Sequence, residues 1–280
     1  LGSVVRPPIG WSGLSTVPAI ISVANRPGQS RSPAADATSG TPVYWLLHAR
    51  RVALTEVVYQ KAFVVRTVEI DGAGTIQTIP FLSYLLEAAG EHAALGGVAV
   101  TDLFEKGLTW VLSRFHVEIS RYPKLGERVR IKTWPSDCGT LFAVREFDVF
   151  DDDGPLAVAT SSWLIVDLRS RRPVRPAEHL AGWPWSATRA LADDFPPLPA
   201  PRRDDIVREF PVFFSDIDVN QHVTATAYIH RALETVPSAV LVDHRPAGIE
   251  VNFRGEAFYG DGLRSRAERL EGDGAPRFSH

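Results

Sequence analysis

Two hydrophobic periods organise the chain. From Phe63 to Ile70 apolar and polar positions alternate as in a half-buried strand, and Asp71-Gly72-Ala73-Gly74 turns it. Ile79, Leu82, Leu85, Leu86, Ala89, Ala93 and Leu95 then follow helical spacing, up to Gly96-Gly97. An apolar arc that wide predicts a helix buried on most of its circumference. Strand-like runs follow at 110–120, 128–134, 141–150 and 156–166. Turn signals join them at Lys124-Leu125-Gly126 and Asp151-Asp152-Asp153-Gly154. A long helix followed by successive antiparallel strands that can wrap it suits a hotdog fold.

The pattern then restarts. Glu209–Phe214 matches the opening strand, 222–236 the helix and Gly248–Phe258 the strand at 112–122. Pro123-Lys124-Leu125-Gly126 and Phe258-Tyr259-Gly260-Asp261-Gly262 hold equivalent places. A two-copy repeat predicts an α+β tandem, or double, hotdog. The first hotdog is expected over 61–168 and the second over 206–280. The second copy has only about Leu263 to His280 after its equivalent strand, so it is expected to be truncated, with an open sheet. Residues 169–205 read as an Arg/Pro-rich linker crossing the surface, with Trp183-Pro184-Trp185 and Pro196-Pro197 along it. Residues 1–60 read as a poorly structured extension, loosely attached over 1–42, with a short helix at 43–60.

Composition removes several function classes. A net charge of −3 gives no reason to expect a nucleic-acid binder. Lys occurs only at positions 61, 106, 124 and 132, so the positive charge is nearly all Arg, which reads most simply as the coding bias of a GC-rich genome. The single Cys, Cys138, excludes an intramolecular disulfide and a Cys-based metal cluster, and it fits a reducing cytoplasm. No apolar run approaches a membrane span. Val17–Ala24 faintly resembles a signal peptide, but Pro18 and Pro27 argue against it. The chain starts with Leu and contains no Met, so either its first stretch is expected to be upstream sequence or the sequence is expected to be incomplete. His92 and His116 have no acidic partner at metal-ligand spacing and are expected to be structural. No cofactor and no metal are expected.

The chemistry concentrates in Phe214-Ser215-Asp216-Ile217-Asp218-Val219-Asn220-Gln221-His222-Val223. Extended, it would place Asp216, Asp218, Asn220 and His222 on one face and Ile217, Val219 and Val223 on the other. Two carboxylates, an amide and an imidazole are the material of acid–base hydrolysis. A calcium loop is rejected, because Gln221 and Ala227 stand where it needs Gly and Glu. Asp and Asn before a helix are also ordinary caps and turn formers, and local chemistry alone does not choose between that role and catalysis.

Asp218-x-Asn220-x-His222, followed by Tyr228-Ile229 and Glu234-Thr235-Val236-Pro237, resembles the acyl-acyl-carrier-protein thioesterases of plants and bacteria. Phe63-Val64-Val65-Arg66, Trp110-Val111-Leu112-Ser113-Arg114, Arg121-Tyr122-Pro123, Thr133-Trp134-Pro135 and Ser162-Trp163 resemble that family too. The resemblance runs from about Phe63 to the last residues. It departs at Thr224-Ala225, where the family has paired Asn, and at Ala257, where plant members carry Cys. It implies hydrolysis of fatty acyl thioesters on acyl carrier protein, with Asp218, Asn220, His222 and Glu256 catalytic. Asp218 would orient His222. Without a Cys at 257, direct attack of water is the mechanism to expect. The first hotdog would hold the acyl chain, with Leu82, Leu85, Leu86, Ala89 and Trp110 as lining residues, and the second would supply the chemistry. Arg169, Arg171, Arg172 and Arg175 form a cluster suited to the acidic carrier protein. Whether two copies pair is left open. A non-catalytic acyl-thioester binding protein, an inactive fragment and an enoyl-thioester hydratase are the competing readings, since one fold hosts several chemistries.

Overall fold

The computed structural model describes residues 19–21, 57–272 and 274–280. Most of the extension lies outside these residues, as do positions 43–56 of the helix expected at 43–60. The described parts are β1 (Ala19–Ile21) and residues 57–60, which are not helical and lead into β2 (Tyr59–Val64).

The first copy of the repeat continues with α1 (Thr78–Leu95), α2 (Val100–Phe104), β3 (Leu108–Ile119), β4 (Arg128–Cys138), β5 (Ala143–Phe150), β6 (Pro155–Asp167) and β7 (Arg172–Val174). The second supplies β8 (Ile206–Pro211), α3 (Ala225–Thr235), α4 (Ser238–Asp243), β9 (Gly248–Asn252), β10 (Gly262–Leu270) and β11 (Arg277–Ser279). Among the described residues these strands make one antiparallel sheet, in the order β2-β4-β5-β6-β3-β9-β1-β11-β10-β8, with β7 beside β6.

The order exposes the internal symmetry. β2-β4-β5-β6-β3 in the first copy corresponds to β8-β10-β11-β1-β9 in the second. The fifth strand of the second half-sheet therefore comes from the N-terminal segment. β1 pairs with β9 on one side and with β11 on the other, as β6 pairs with β3 and β5. Residues 206–280 by themselves supply four strands, one short of the first half, and the backbone of residues 19–21 fills the place that the expected truncation leaves open.

The two halves join where β3 pairs with β9, from Arg114 opposite Asn252 to Glu118 opposite Gly248. The largest hydrophobic cluster crosses the seam, and a smaller one lies in each half. The largest runs from Phe81, Leu82 and Leu85 of α1, through Phe115 and Phe147, to Ile229 and Leu233 of α3 and Phe278 of β11. α1 matches its predicted span and stops at Gly96 and Gly97, the latter at φ 67°. α3 is capped by the Thr224 hydroxyl, which accepts from Ala227 N at 3.1 Å, and stops before Pro237.

Both opening strands lie earlier than the alternation suggests. β2 ends at Val64 and β8 at Pro211, and each is followed by a 3-10 turn, Thr67–Glu69 or Phe214–Asp216. In each turn a carboxylate folds back on a backbone N–H three residues earlier, Glu69 on Arg66 N at 2.8 Å and Asp216 on Phe213 N at 2.9 Å. The segment from Ser186 to Pro196 crosses the outer face of the sheet as expected, but it is pinned there. Trp134 Nε1 donates to Thr188 O, the buried Glu146 carboxylate accepts from Arg189 Nε, and Arg114 donates to the carbonyls of Phe195 and Pro196.

Candidate active site

Asp218 organises the loop that carries the motif. Its carboxylate accepts from Asn220 N at 2.8 Å and from His222 N at 3.3 Å. Gln221 takes a left-handed φ of 63°, and Asp218 N donates to His222 O. The segment is thus a tight turn closed by a bridge between Ile217 and Val223, not an extended strand. The common face expected for Asp216, Asp218, Asn220 and His222 does not form, because the N–H groups of the turn wrap around a carboxylate. Asp216 points elsewhere and pairs with Arg231 at 2.7 Å. Val219, expected on the apolar face, is 53% exposed. Asp218 reaches the backbone of His222 and not its ring, so it positions the residue through the loop.

The turn places Asn220 and His222 against two other segments. Asn220 Oδ1 accepts from the buried Thr109 hydroxyl at 2.6 Å, and its Nδ2 lies 3.3 Å from Asp218 Oδ2. A carboxylate only accepts, so the amide nitrogen faces Asp218 and the oxygen faces Thr109. His222 Nε2 lies 3.6 Å from Glu256 Oε2, and its ring packs edge-on against Phe258. Glu256 follows β9 in an irregular segment and does not end a strand. The same Glu256 oxygen receives the Arg171 guanidinium. Burial holds the His222 pKa below the usual imidazole value; Glu256 and Asp218 pull it up and Arg171 pushes it down. Ala257 is buried in a small cluster with Val212, Val223, Ala227 and Leu263, and its carbonyl accepts from Val223 N. Phe214, Val219 and Tyr259 leave an exposed apolar rim on the same loops.

His222 and Glu256 are therefore brought together, and Asn220 and Asp218 stand on the same loop as His222, joined to each other. Of the four clustered arginines, Arg169, Arg172 and Arg175 are exposed, whereas Arg171 turns into the site. Leu82, Leu85 and Ala89 are buried in the core beneath α1, and Leu86 packs at its edge. Trp110 belongs to a neighbouring cluster, with Nε1 donating to Val98 O. Sequence reasoning missed Thr109 and the inward turn of Arg171, since neither is near the motif in the chain.

His116 also differs from expectation. His116 Nδ1 lies 2.8 Å from Asp193 Oδ2, and Glu250 is its cross-strand neighbour. Ligand atoms of the three lie within 4.8 Å of one another, a set able to hold a divalent cation. Burial, and then Asp193, raises the Glu250 pKa, while His116 and Arg114 offset part of that rise. These acidic partners come from another strand and from the pinned segment, which spacing along the chain does not reveal. His92 is fully buried at the end of α1, where Arg145 donates to its Nδ1 at 3.0 Å.

Residues 56–181 match the acyl-ACP thioesterase N-terminal domain, and residues 200–279 match the acyl-ACP thioesterase C-terminal domain. The chain belongs to the acyl-ACP thioesterase family. An oleoyl-acyl carrier protein thioesterase 2 of Arabidopsis thaliana is 30% identical, across 82% of this chain and 68% of that protein. A palmitoyl-acyl carrier protein thioesterase of Gossypium hirsutum is 29% identical, across 71% and 52%. The chain thus spans about half of the Gossypium enzyme; both relatives are named as chloroplastic. Among solved structures, an acyl-ACP thioesterase from Bacteroides thetaiotaomicron is 27% identical, with a TM-score of 0.63 across 79% of this chain and 96% of that one. The 12:0-ACP thioesterase from Umbellularia californica, 23% identical with a TM-score of 0.70 across 80% and 92%, shares the fold. No helix among the described residues is long and apolar enough to cross a membrane.

Proposed function

We propose that this chain hydrolyses fatty acyl thioesters of acyl carrier protein. The observation that carries the reading is the meeting of His222 and Glu256, with Asn220 on the same loop as His222, in a chain of this family. Water attacks the thioester carbonyl carbon and loses a proton to the His222 ring. A depressed pKa keeps that ring neutral, and so able to accept, at neutral pH. Glu256, 3.6 Å away, stabilises the imidazolium that forms. The Asn220 Nδ2 group donates to the oxyanion of the tetrahedral intermediate. When the C–S bond breaks, the imidazolium returns its proton to the leaving thiolate, giving free acid and carrier thiol. Ala257 has no thiol, so the route needs no covalent acyl-enzyme.

The acyl chain is assigned to the α1 side of the first half, against Leu82, Leu85, Leu86 and Ala89, with Trp110 at its edge. Arg169, Arg172 and Arg175 are assigned to the carrier protein. Thiol release from a panel of acyl-carrier thioesters tests the reading. Replacing Asn220, His222 or Glu256 by Ala should each lower turnover by about a hundredfold or more. Wild-type rates in all three variants would refute the assignment. Water added to a 2-enoyl thioester without thiol release would identify a hydratase, and binding without turnover a carrier of acyl thioesters.

A further inference from the structure

We propose that the first half of the molecule builds part of the catalytic centre, with Arg171 positioning Glu256 and Thr109 positioning Asn220. The inference rests on the hydrolase reading above and assigns roles to two residues that act through others.

Arg171 closes the turn between β6 and β7. Its N–H donates to Asp167 O at 2.8 Å, while the Asp167 carboxylate accepts from Ser170 N at 2.6 Å. Arg171 holds a left-handed φ of 59°, which a side chain with a Cβ adopts at a cost. From that turn the guanidinium reaches a carboxylate 85 residues away. The Arg171 and Glu256 side chains are 32% and 38% exposed, so the pair contributes little to stability. Its consequence is geometric. It fixes the Glu256 oxygen that faces His222 Nε2, and it brings a positive charge beside that ring.

Thr109 begins the part of β3 that runs to the seam, and it is 4% exposed. Its hydroxyl donates at 2.6 Å to Asn220 Oδ1. With the oxygen held there and one N–H turned to Asp218, the second N–H of Asn220 is the donor available to a substrate carbonyl. A methyl group in place of the hydroxyl would remove the donor that holds Oδ1 and leave the amide restrained by Asp218 alone.

The test uses the whole chain with an acyl-carrier thioester, and it pairs each disruptive variant with a conservative one. Thr109→Val should lower kcat about tenfold with KM within about twofold, and Thr109→Ser should restore it to within about threefold. Equal rates for Thr109→Val and wild type would overturn the Thr109 role, as would a Thr109→Ser variant as impaired as Thr109→Val. Arg171→Ala should lower kcat about tenfold while leaving Tm within about two degrees, and Arg171→Lys should recover part of the loss. An Arg171→Ala effect confined to KM would return Arg171 to the carrier-docking set and end the positioning claim. A readout independent of turnover is the titration of the His222 ring by NMR. The charged groups facing it are Glu256, Asp218 and Arg171, so removing Arg171 takes away the one that pushes its pKa down. The titration should therefore move to higher pH. An unchanged titration overturns the Arg171 role whether or not the chain turns over. A shifted titration in a chain without turnover sustains the geometry and defeats the hydrolase reading instead.

Discussion

Asp218 illustrates how one carboxylate can override a pattern. Polar residues at every second position from Asp216 to His222 satisfy the periodicity of a strand. They also supply the side chains that close turns, and the turn prevails because Asp218 satisfies two backbone N–H groups at once. The motif's identity was legible in the sequence, but its shape was not. His92 gives a second lesson at this scale. Burial, and then the adjacent Arg145, lowers its pKa to about 3. In the unfolded chain an imidazole titrates near 6.5. Below that pH the unfolded state binds a proton that the folded state refuses, so stability is lost as pH falls from about 6.5 towards about 3. The loss is about 1.4 kcal/mol per pH unit for one group. His92→Gln should flatten the acid side of the stability profile by about that slope, measured by urea unfolding between about pH 4.5 and 7. An unchanged slope would remove His92 as the cause. Cys138 closes the residue scale. It ends β4, opposite Ala143, and burial followed by Asp137 pushes its thiol pKa up, the reverse of what a nucleophile needs. Cys138→Ser should retain wild-type turnover, and a dead but folded variant would show that the thiol takes part.

At the scale of elements, the long helix and the strand succession were legible because α1 keeps one period over its whole length. Element edges were not, since alternation continues from β2 into the 3-10 turn at 67–69 and from β8 into the one at 214–216. A capping carboxylate decides where each strand stops. β1 was illegible for a different reason. Three residues carry no period, and their place is set by the partners that flank them. Between β9 and β11 they complete the ladder that links β11, β10 and β8 to the rest of the sheet. Deleting residues 1–22 should break that ladder and expose the edges of β9 and β11 to pairing with other chains. The expected outcome is a Tm lower by several degrees, with greater aggregation on heating. Calorimetry and light scattering on the two forms check it; an unchanged Tm would mean that β1 contributes nothing to the sheet.

At the scale of the whole molecule, the repeat suggested two units with divided labour, one for the acyl chain and one for the chemistry. The continuous core and the β3–β9 seam join them into one body, and the site takes residues from both sides. The chain order hides this, because Thr109, Arg171, Asn220 and Glu256 are neighbours only after the sheet has formed. The seam also changes what the arginine cluster means. Arg171 enters the site, so Arg169 and Arg172, exposed within two residues of it, stand at the site's edge and not on a remote linker. A negatively charged carrier approaching the site would meet these two charges first, and opposite charges raise the rate of encounter more than they tighten the final contact. Reversing both, Arg169→Glu with Arg172→Glu, should raise KM for acyl-carrier thioesters by about tenfold at low salt and leave kcat nearly unchanged. The effect on acyl-coenzyme A, which brings no acidic protein surface, should be smaller. The difference should shrink as ionic strength rises and screening shortens the reach of surface charge to about 8 Å or less. Equal changes for both substrates, or a change insensitive to salt, would place the carrier protein elsewhere on the molecule.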